Sequence, residues 1–283
     1  MQQGFDIPNR IEEMYRRAIR RILIPEFHRK PEEQSYTDWL REIASISERR
    51  DVADAAAYIA GQMVNWVNVK NAQTWREAAM RAQRGQMIYR LLQRELRGVI
   101  GDRVRDLVRE NATLITRIPN EIAERLTADI AKAQQAGERP EAIEKYMRTM
   151  FPRMTKNRIR LIARTESMKA STALTQARSE ELELPAYVWM TSHDSRVRDS
   201  HRNMDGVIVL WRDPPSPEAL IGERSTLGHY HVGDCPNCRC TPIVILTLDD
   251  VQFPARVYSY GRIKYMMMDE FSRLTRIRER RAA

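Results

Sequence analysis

Two short stretches decide how this chain folds: YVWMTSHDSRVRDSH at residues 187–201 and CPNCRC at residues 235–240. Between their outer ends lie all three cysteines and four of the five histidines of the chain. The apolar runs at residues 187–190, 207–211 and 241–248 are separated by turns and by a long loop that contains several prolines and glycines. This pattern predicts a small sheet of short strands, whereas most of the remaining sequence is helical in pattern.

The cysteine-rich stretch predicts a metal site. Cys235 and Cys238 flank a Pro-Asn pair, which is typical of a tight turn that can direct two thiolates at one ion. Cys240 follows closely, and His201 is the best-placed fourth ligand by composition. The predicted ligands of a zinc ion are therefore Cys235, Cys238, Cys240 and His201. On spacing alone, two other histidines remain as reserve ligands: His229 and His231.

Other uses of the three cysteines stay open at this point. A disulfide framework is the weaker prediction, because three cysteines cannot all pair and no secretory signal indicates an oxidising compartment. A redox Cys-x-x-Cys pair would be expected beside a βαβ pattern, which the sequence lacks. Reduced structural thiols are the main alternative to a metal site.

Several separated motifs around this region resemble one family of phage proteins. They occur in the order Arg164-Thr165-Glu166, Trp189, Asp194-x-Arg196-x-Arg198-x-x-His201, Met204-Asp205-Gly206 and Pro236-Asn237-Cys238-Arg239-Cys240. Over about residues 120–246, the chain is similar to the phage Mu F-type minor head proteins, the phage head morphogenesis family. Family members often end this region with His-Pro-Asn-Cys-Arg-Cys, and Cys235 stands in place of that histidine here. A zinc site tolerates the exchange, since both residue types are zinc ligands.

The resemblance implies a minor capsid component that associates with the portal vertex of a tailed phage or prophage. Its role would be in head assembly, DNA packaging or ejection, without an enzymatic activity of its own. The implied partners are the portal protein and the major capsid or scaffold protein, and the implied location is the capsid interior or portal vertex of the virion. Neither a membrane nor a small-molecule substrate is expected among the partners.

The composition is that of a helix-rich protein with no membrane segment. Hydrophobic residues make up 42% of the 283 residues, which is enough apolar material for one large or two moderate domains. No apolar run approaches the roughly 18 residues that a membrane helix needs. The first residues also lack the apolar segment of a signal peptide, which predicts synthesis in the host bacterial cytoplasm.

The sequence predicts a mainly α fold with a small α+β C-terminal domain, in which a helical body carries a short antiparallel sheet packed on a long helix. Residues 1–118 form the predicted helical N-terminal region, which would bind the portal or another partner. Residues 119–250 form the predicted Mu F-like head morphogenesis domain, and residues 251–283 form a basic helical tail. The apolar stripe that includes Met63 and Val64 is interpreted mainly as core, because helical periodicity usually has that meaning.

One carboxylate lies on the apolar face of the helix predicted at residues 156–181. Glu166 falls among alanines on that face, and burying a carboxylate without a partner is costly. The predicted partner is Arg196 or Arg198 in the downstream turn, in a structural ion pair that joins helix to sheet. A catalytic Glu166, as in ADP-ribosyl transfer, is the weaker interpretation, because no nucleophile or second acid accompanies it.

The C-terminal end of the chain concentrates positive charge. From residue 252 to residue 283 there are eight basic and three acidic side chains, an excess of five within a net charge of +9. We predict that this segment contacts DNA or an acidic portal surface rather than completing the core, since arginine suits phosphate contacts. A solvated terminus is the alternative. The predicted contact residues are Arg273, Arg276, Arg278, Arg280 and Arg281.

Two enzymatic functions are the alternatives to an assembly role. A metal-dependent nuclease would use His201 with Asp194 and Asp205, because a histidine beside a divalent ion can activate water. The residue pair expected in the first strand of such a site is approached only by His193-Asp194. An ADP-ribosyltransferase-like toxin domain carried on a capsid protein is the second alternative.

Overall fold

The computed structural model describes residues 8–81 and 98–277 of the chain. The chain divides into two compact units that interleave along the sequence. The sheet unit contains the described residues 66–81, 98–104 and 167–277, and the helical unit contains residues 8–65 and 105–166. The domain boundaries predicted after residues 118 and 250 stay predictions.

Helices dominate the described part of the chain. They are α1 (Asn9–Leu23), α2 (Tyr36–Ser45), α3 (Arg50–Arg81), α4 (Val99–Thr116), α5 (Ile118–Gln135), α6 (Pro140–Glu181), α7 (Asp199–Met204) and α8 (Met268–Thr275). Short 3-10 turns occur at Ile46–Glu48, Ala219–Ile221 and Leu248–Asp250. The mainly helical fold class is therefore confirmed.

Local sequence signals set some helix ends and fail at others. The hydroxyl of Ser35 accepts a hydrogen bond from the backbone N–H of Asp38 at 3.1 Å, so the predicted N-cap of α2 is confirmed. In contrast, the two helices predicted from Pro140 and from residue 156 form a single helix of 42 residues. Pro152 lies inside it, where it removes one main-chain hydrogen bond without ending the helix.

The helical unit packs around apolar stripes of its helices. Tyr15 of α1 is fully buried and donates a hydrogen bond to Oδ1 of Asn111 in α4 at 2.9 Å. A buried hydroxyl needs such a partner, because leaving it unsatisfied costs about 1–3 kcal/mol. Met63 and Val64 of α3 are also fully buried, which confirms the interpretation of that stripe as core.

In the sheet unit, the C-terminal parts of α3 and α6 are joined by buried polar contacts. The side-chain amide of Asn71 in α3 donates to Oγ1 of Thr175 in α6 at 2.7 Å. Arg178 of α6 is fully buried and donates to the side-chain oxygens of Asn68 and Asn71. A buried guanidinium is tolerated only when acceptors surround it, so these asparagines fix how the two helices pack.

The sheet has five strands in the order β3-β1-β2-β4-β5. The strands are β1 (Ala186–Met190), β2 (Ile208–Leu210), β3 (Thr241–Val244), β4 (Ala255–Ser259) and β5 (Arg262–Met266). The three strands predicted from the apolar runs are confirmed. The sheet is mixed rather than purely antiparallel as predicted, because β2 and β4 pair in parallel.

The two faces of the sheet pack against different elements. One face, with Tyr187 and Trp189 of β1, packs against Trp75 and Ala79 at the end of α3. The other face packs against α8, whose Phe271 is fully buried beside β4. Both faces of β1 and β2 are therefore covered, which explains why these two strands are almost uniformly apolar.

The C-terminal segment was predicted to avoid the core, and that prediction is wrong. Residues 255–266 form β4 and β5, and Val257, Tyr258, Met266 and Phe271 are all buried. The apolar spacing in this segment fits a strand followed by a helix as well as one continuous helix. Pairing of β4 with β2 favours strands in this segment, because β2 would otherwise leave an uncovered edge of the sheet.

No described helix combines the length and the apolarity that crossing a bilayer requires.

Candidate metal centre

His201 is the central residue of the candidate site. It lies in the short helix α7, which follows β1 after a polar loop, and its side chain is buried. The indole ring of Trp189 in β1 meets the imidazole edge to face, with ring centroids 5.4 Å apart. Packing of this kind fixes the plane of the imidazole and thereby the direction of its two nitrogens.

The cysteine turn supplies the sulfur atoms. The N–H of Cys238 donates to the carbonyl of Cys235 at 3.0 Å, and Asn237 between them has a φ of +58°. Asparagine tolerates this left-handed conformation better than most residues, which explains its place in the Pro-Asn pair. The turn then returns the chain so that Cys240 donates its N–H to Sγ of Cys238 at 3.4 Å.

Together the helix and the turn place three potential ligand atoms in one group. Those of His201, Cys238 and Cys240 all lie within 4.8 Å of one another, and the three residues are buried. Nδ1 of His201 is 3.5 Å from Sγ of Cys238 and 3.5 Å from Sγ of Cys240. In a tetrahedral zinc site, bonds of about 2.3 Å to sulfur and about 2.0 Å to nitrogen place these atoms about 3.5 Å apart. The donor set and its spacing therefore fit zinc.

The second nitrogen of His201 is held by a polar relay. Nε2 is 3.0 Å from the hydroxyl of Tyr230, and that hydroxyl donates to Oε1 of Glu218 at 2.7 Å. Because the Tyr230 proton is committed to Glu218, the tyrosine oxygen accepts from Nε2–H, and Nδ1 is the nitrogen that faces the sulfurs. Metal-bound histidines typically donate their other N–H in this way.

Neither Tyr230 nor Glu218 is among the site residues predicted from the sequence. The signal that could have found them is the His-Tyr-His run at residues 229–231 within the proline-rich loop. A hydroxyl flanked by imidazoles in a chain with a predicted histidine ligand is a natural candidate for an outer-shell partner.

Charge in the group is arranged to favour a cation. Burial acts to lower the pKa of His201, but contacts with the sulfurs of Cys235 and Cys238 outweigh it and raise the pKa to about 9. The pKa of Cys238 is held well below its ordinary value, chiefly by a hydrogen bond from the Cys240 thiol and also by His201. The same hydrogen bond, together with burial, raises the pKa of the Cys240 thiol. A thiolate beside a positive charge is thus the stable arrangement here, and a divalent cation meets the same demand.

The remaining predicted ligands lie around this group but not within it. Cys235 is buried and close enough to affect the pKa of His201, yet its Sγ is not among the atoms grouped within 4.8 Å. His229 is exposed, with Nδ1 2.8 Å from the carbonyl of Pro214. His231 is half-buried with Nδ1 3.2 Å from the hydroxyl of Tyr187, and desolvation lowers its pKa to about 4. Both reserve histidines therefore have other partners.

The polar motif residues brace the loop between β1 and α7. Arg239, between the two grouped cysteines, donates to Oδ1 of Asp194 at 2.6 Å and lowers the pKa of Asp194 to about 2. The carboxylate of Asp205 accepts from the N–H and the hydroxyl of Thr191, both at 2.8 Å. Gly206 has a φ of +73° and donates its N–H to the carbonyl of Trp189. These contacts hold the loop, α7 and the cysteine turn in register.

The predicted ion pair of Glu166 gains no support from its proposed partners. Glu166 is buried, as predicted, and belongs to the helical unit. Arg196 and Arg198 are exposed residues of the sheet unit, where Arg196 lies 3.8 Å from Asp194 and Arg198 donates to the carbonyl of Pro236. The pairing of Glu166 with either arginine stays a prediction.

Two further groups of predicted residues have different outcomes. In the helical unit, Arg164 lies 3.1 Å from Glu12, and Thr165 is buried. In the C-terminal segment, Arg273 and Arg276 are exposed at α8, so they are accessible to a partner. The other three predicted contact arginines lie outside the described residues: Arg278, Arg280 and Arg281.

Comparison with known proteins places this site in a phage protein family. Residues 120–243 match the model of the family described as Phage Mu protein F like protein. The matched stretch contains β1, β2, α7 and every predicted metal ligand. Over this stretch the chain is similar to the Phage Mu protein F-like family, so the resemblance seen in the motifs is confirmed.

Two relatives extend this result. An uncharacterized protein of Haemophilus influenzae is 31% identical over 147 residues, which are 52% of this chain and 30% of that protein. Minor head protein GP7 of Bacillus phage SPP1 is 30% identical over 145 residues, which are 50% of this chain and 44% of that protein. The chain thus spans less than half the length of either relative. No solved structure matches it.

Proposed function

We propose that this chain is a minor head protein of a tailed phage or prophage that associates with the portal vertex and acts in head assembly, DNA packaging or ejection. The observation that carries the proposal is the match of residues 120–243 to the Phage Mu F-like family, together with the 30% identity to a protein named minor head protein GP7. The virion is then its site of action, with the portal protein as its first partner.

The proposed metal centre has a structural role in this protein. His201, Cys238 and Cys240, with Cys235 as fourth ligand, would hold zinc, which would link the cysteine turn to α7. Metal-binding free energy at such a site is folding free energy. The sheet unit has short strands of three to five residues, so a covalent link across the loops adds stability that the strands alone lack.

A nuclease function is less well supported by the same contacts. His201 has its nitrogens directed at the sulfurs and at Tyr230, Asp194 is paired with Arg239, and Asp205 is bonded to Thr191. Each residue that a water-activating site would need is therefore already engaged. Incubation of supercoiled plasmid with the chain and divalent metal, with no nicking above a His201→Ala control, is the expected outcome.

The portal-binding surface is proposed to lie on the C-terminal part of α3. Val69 and Met80 there expose 59% and 74% of their surface, and they are eleven residues apart. Because eleven residues make almost exactly three helical turns, both side chains lie on one stripe of the helix. Exposed apolar side chains on one stripe are a typical contact for an apolar groove of a partner.

The test is co-purification of the full chain with the portal protein of the same genome. Wild type should be retained, and the double variant Val69→Ser with Met80→Ser should lose most of the retained chain. A matched control removes exposed apolar side chains elsewhere, Ile221→Ser with Leu227→Ser, and should be retained like wild type. Absence of wild type from assembled heads and from the portal fraction would contradict the proposal.

A further inference from the structure

A pocket of about 390 Å³ opens beside the metal centre. Its walls include the residues Arg198, Glu218, Arg224, Ser225, Cys235 and Pro236. Cys235 is the cysteine that lines it, whereas His201, Cys238 and Cys240 are buried and are not among its lining residues. The pocket therefore approaches the three grouped ligands from the side on which Cys235 lies.

Cys235 occupies a position between the pocket and the grouped ligands. It lines the pocket, and its carbonyl accepts the N–H of the grouped Cys238 at 3.0 Å, so it adjoins both. Its Sγ is nevertheless outside the group of three ligand atoms. Moving between staggered χ1 positions displaces a cysteine sulfur by about 3 Å, so rotation of this one side chain can change its distance to the group.

Glu218 adds an acidic wall on the same path. Its carboxylate accepts from Tyr230 and from the hydroxyls of Ser200 and Ser225, at 2.7, 3.3 and 3.2 Å. Like Cys235, Glu218 lines the pocket, and the Tyr230 hydroxyl links its carboxylate to the imidazole of His201. A cation that enters the pocket thus meets a carboxylate and a thiol before it reaches the buried ligands.

We propose that this pocket is the route by which a zinc ion enters and leaves the centre, and that Cys235 is the exchangeable ligand that closes the site from the pocket side. The inference rests on the proposed metal centre and adds an order among its ligands. His201, Cys238 and Cys240 form a preassembled set, and Cys235 completes the tetrahedron that a structural zinc site requires.

Transfer of zinc to a chromophoric chelator tests this order in the full-length, zinc-loaded chain. Cys235→Ser should still bind one zinc per chain but release it about tenfold faster, because one ligand of a three-plus-one set is weakened. Cys240→Ser should fail to retain zinc during gel filtration. Equal release rates for Cys235→Ser and wild type would overturn the inference.

A second variant tests the route without touching a ligand. Thr226 lines the pocket at an exposed position, so Thr226→Trp should slow zinc release while the zinc content stays at one per chain. Thr149 is an exposed threonine of the helical unit, and Thr149→Trp is the matched control, expected to release zinc at the wild-type rate. Release from Thr226→Trp at the control rate would contradict entry through the pocket.

Thiol alkylation of the loaded wild type gives an independent readout. Iodoacetamide should modify Cys235 first, since that sulfur alone faces the pocket, and peptide mass spectrometry identifies the modified residue. Modification of Cys238 or Cys240 at the same rate would overturn the inference while leaving the metal centre intact. A wild-type chain that binds no zinc would instead overturn the metal centre and the inference together.

Discussion

Replacing Tyr230 with phenylalanine tests the geometry of the metal centre through a residue that is not itself a ligand. The Tyr230 hydroxyl links Nε2 of His201, 3.0 Å away, to Oε1 of Glu218, 2.7 Å away. In Tyr230→Phe, Nε2–H loses its acceptor, so Nδ1 is no longer held as the nitrogen that faces the sulfurs. The ring itself is retained, so the packing of the buried side chain changes little.

The expected magnitude follows from what outer-shell partners contribute in general. Loss of such a partner costs about 10- to 100-fold in metal affinity, or about 1.4–2.8 kcal/mol. Tyr187→Phe is a closely matched control, because it removes a buried hydroxyl from the same apolar cluster. That hydroxyl contacts His231, at 3.2 Å, and not the grouped ligands. Its removal should lower the stability of the fold without the same loss of zinc affinity.

The assay is competition for zinc between each full-length variant and a chelator of known affinity. We expect the zinc affinity of Tyr230→Phe to fall by about one to two orders of magnitude and that of Tyr187→Phe to stay within about threefold of wild type. Equal affinities for Tyr230→Phe and wild type would refute the relay. Equal losses in the two variants would show that any buried hydroxyl matters, and not the one bonded to His201.

Three further predictions address the fold and the partners. Gly233→Ala places a Cβ 2.6 Å from Oγ1 of Thr172 at a φ of +89°, whereas the Cβ of Gly222→Ala meets nothing within 4 Å and adds only the ~1–2 kcal/mol of left-handed strain. Chemical denaturation should therefore show a larger loss in the free energy of unfolding for Gly233→Ala than for Gly222→Ala. The pKa of Asp194 is lowered to about 2, so the stability that its charged form contributes is present above the unfolded pKa of about 4 and is lost as pH falls toward 2. Thermal melts should show a smaller fall in melting temperature between about pH 4 and about pH 2 for Asp194→Asn than for wild type. A chain ending at Ile277 keeps the buried core but loses three arginines, so it should bind DNA more weakly than the full-length chain and with a shallower salt dependence. Equal affinity and equal salt dependence for the two chains would show that the tail does not contact DNA.

The sequence predicted those parts of the fold that local pattern determines. The apolar runs at residues 187–190, 207–211 and 241–248 contain β1, β2 and β3, because each run is bounded by turn residues. The spacing Cys-x-x-Cys-x-Cys with one distant histidine was enough to predict the grouped His201, Cys238 and Cys240. In both cases the chemistry of a few adjacent residues carries the information.

The parts that the sequence did not reveal depend on contacts between distant residues. Met266 fits the apolar spacing of a helix, and only the pairing of β5 with β4 makes it a strand residue. Tyr230 and Glu218 are twelve positions apart in a loop, and nothing local shows that one bonds to the other. The glutamate on the apolar face of α6 was correctly predicted to be buried, but the arginines chosen as its partner were selected only by proximity in sequence motifs.

Metal analysis of the purified chain is the most direct test of the claim that the region matching the Phage Mu F-like family is built around a metal centre. Elemental analysis should find one zinc per chain in wild type and none in Cys238→Ser, whose sheet unit should also lose its protection from proteolysis. Thiol titration of wild type should show slow reaction of the cysteines until a chelator is added. A wild-type chain without zinc, with all three thiols freely reactive, would contradict the account.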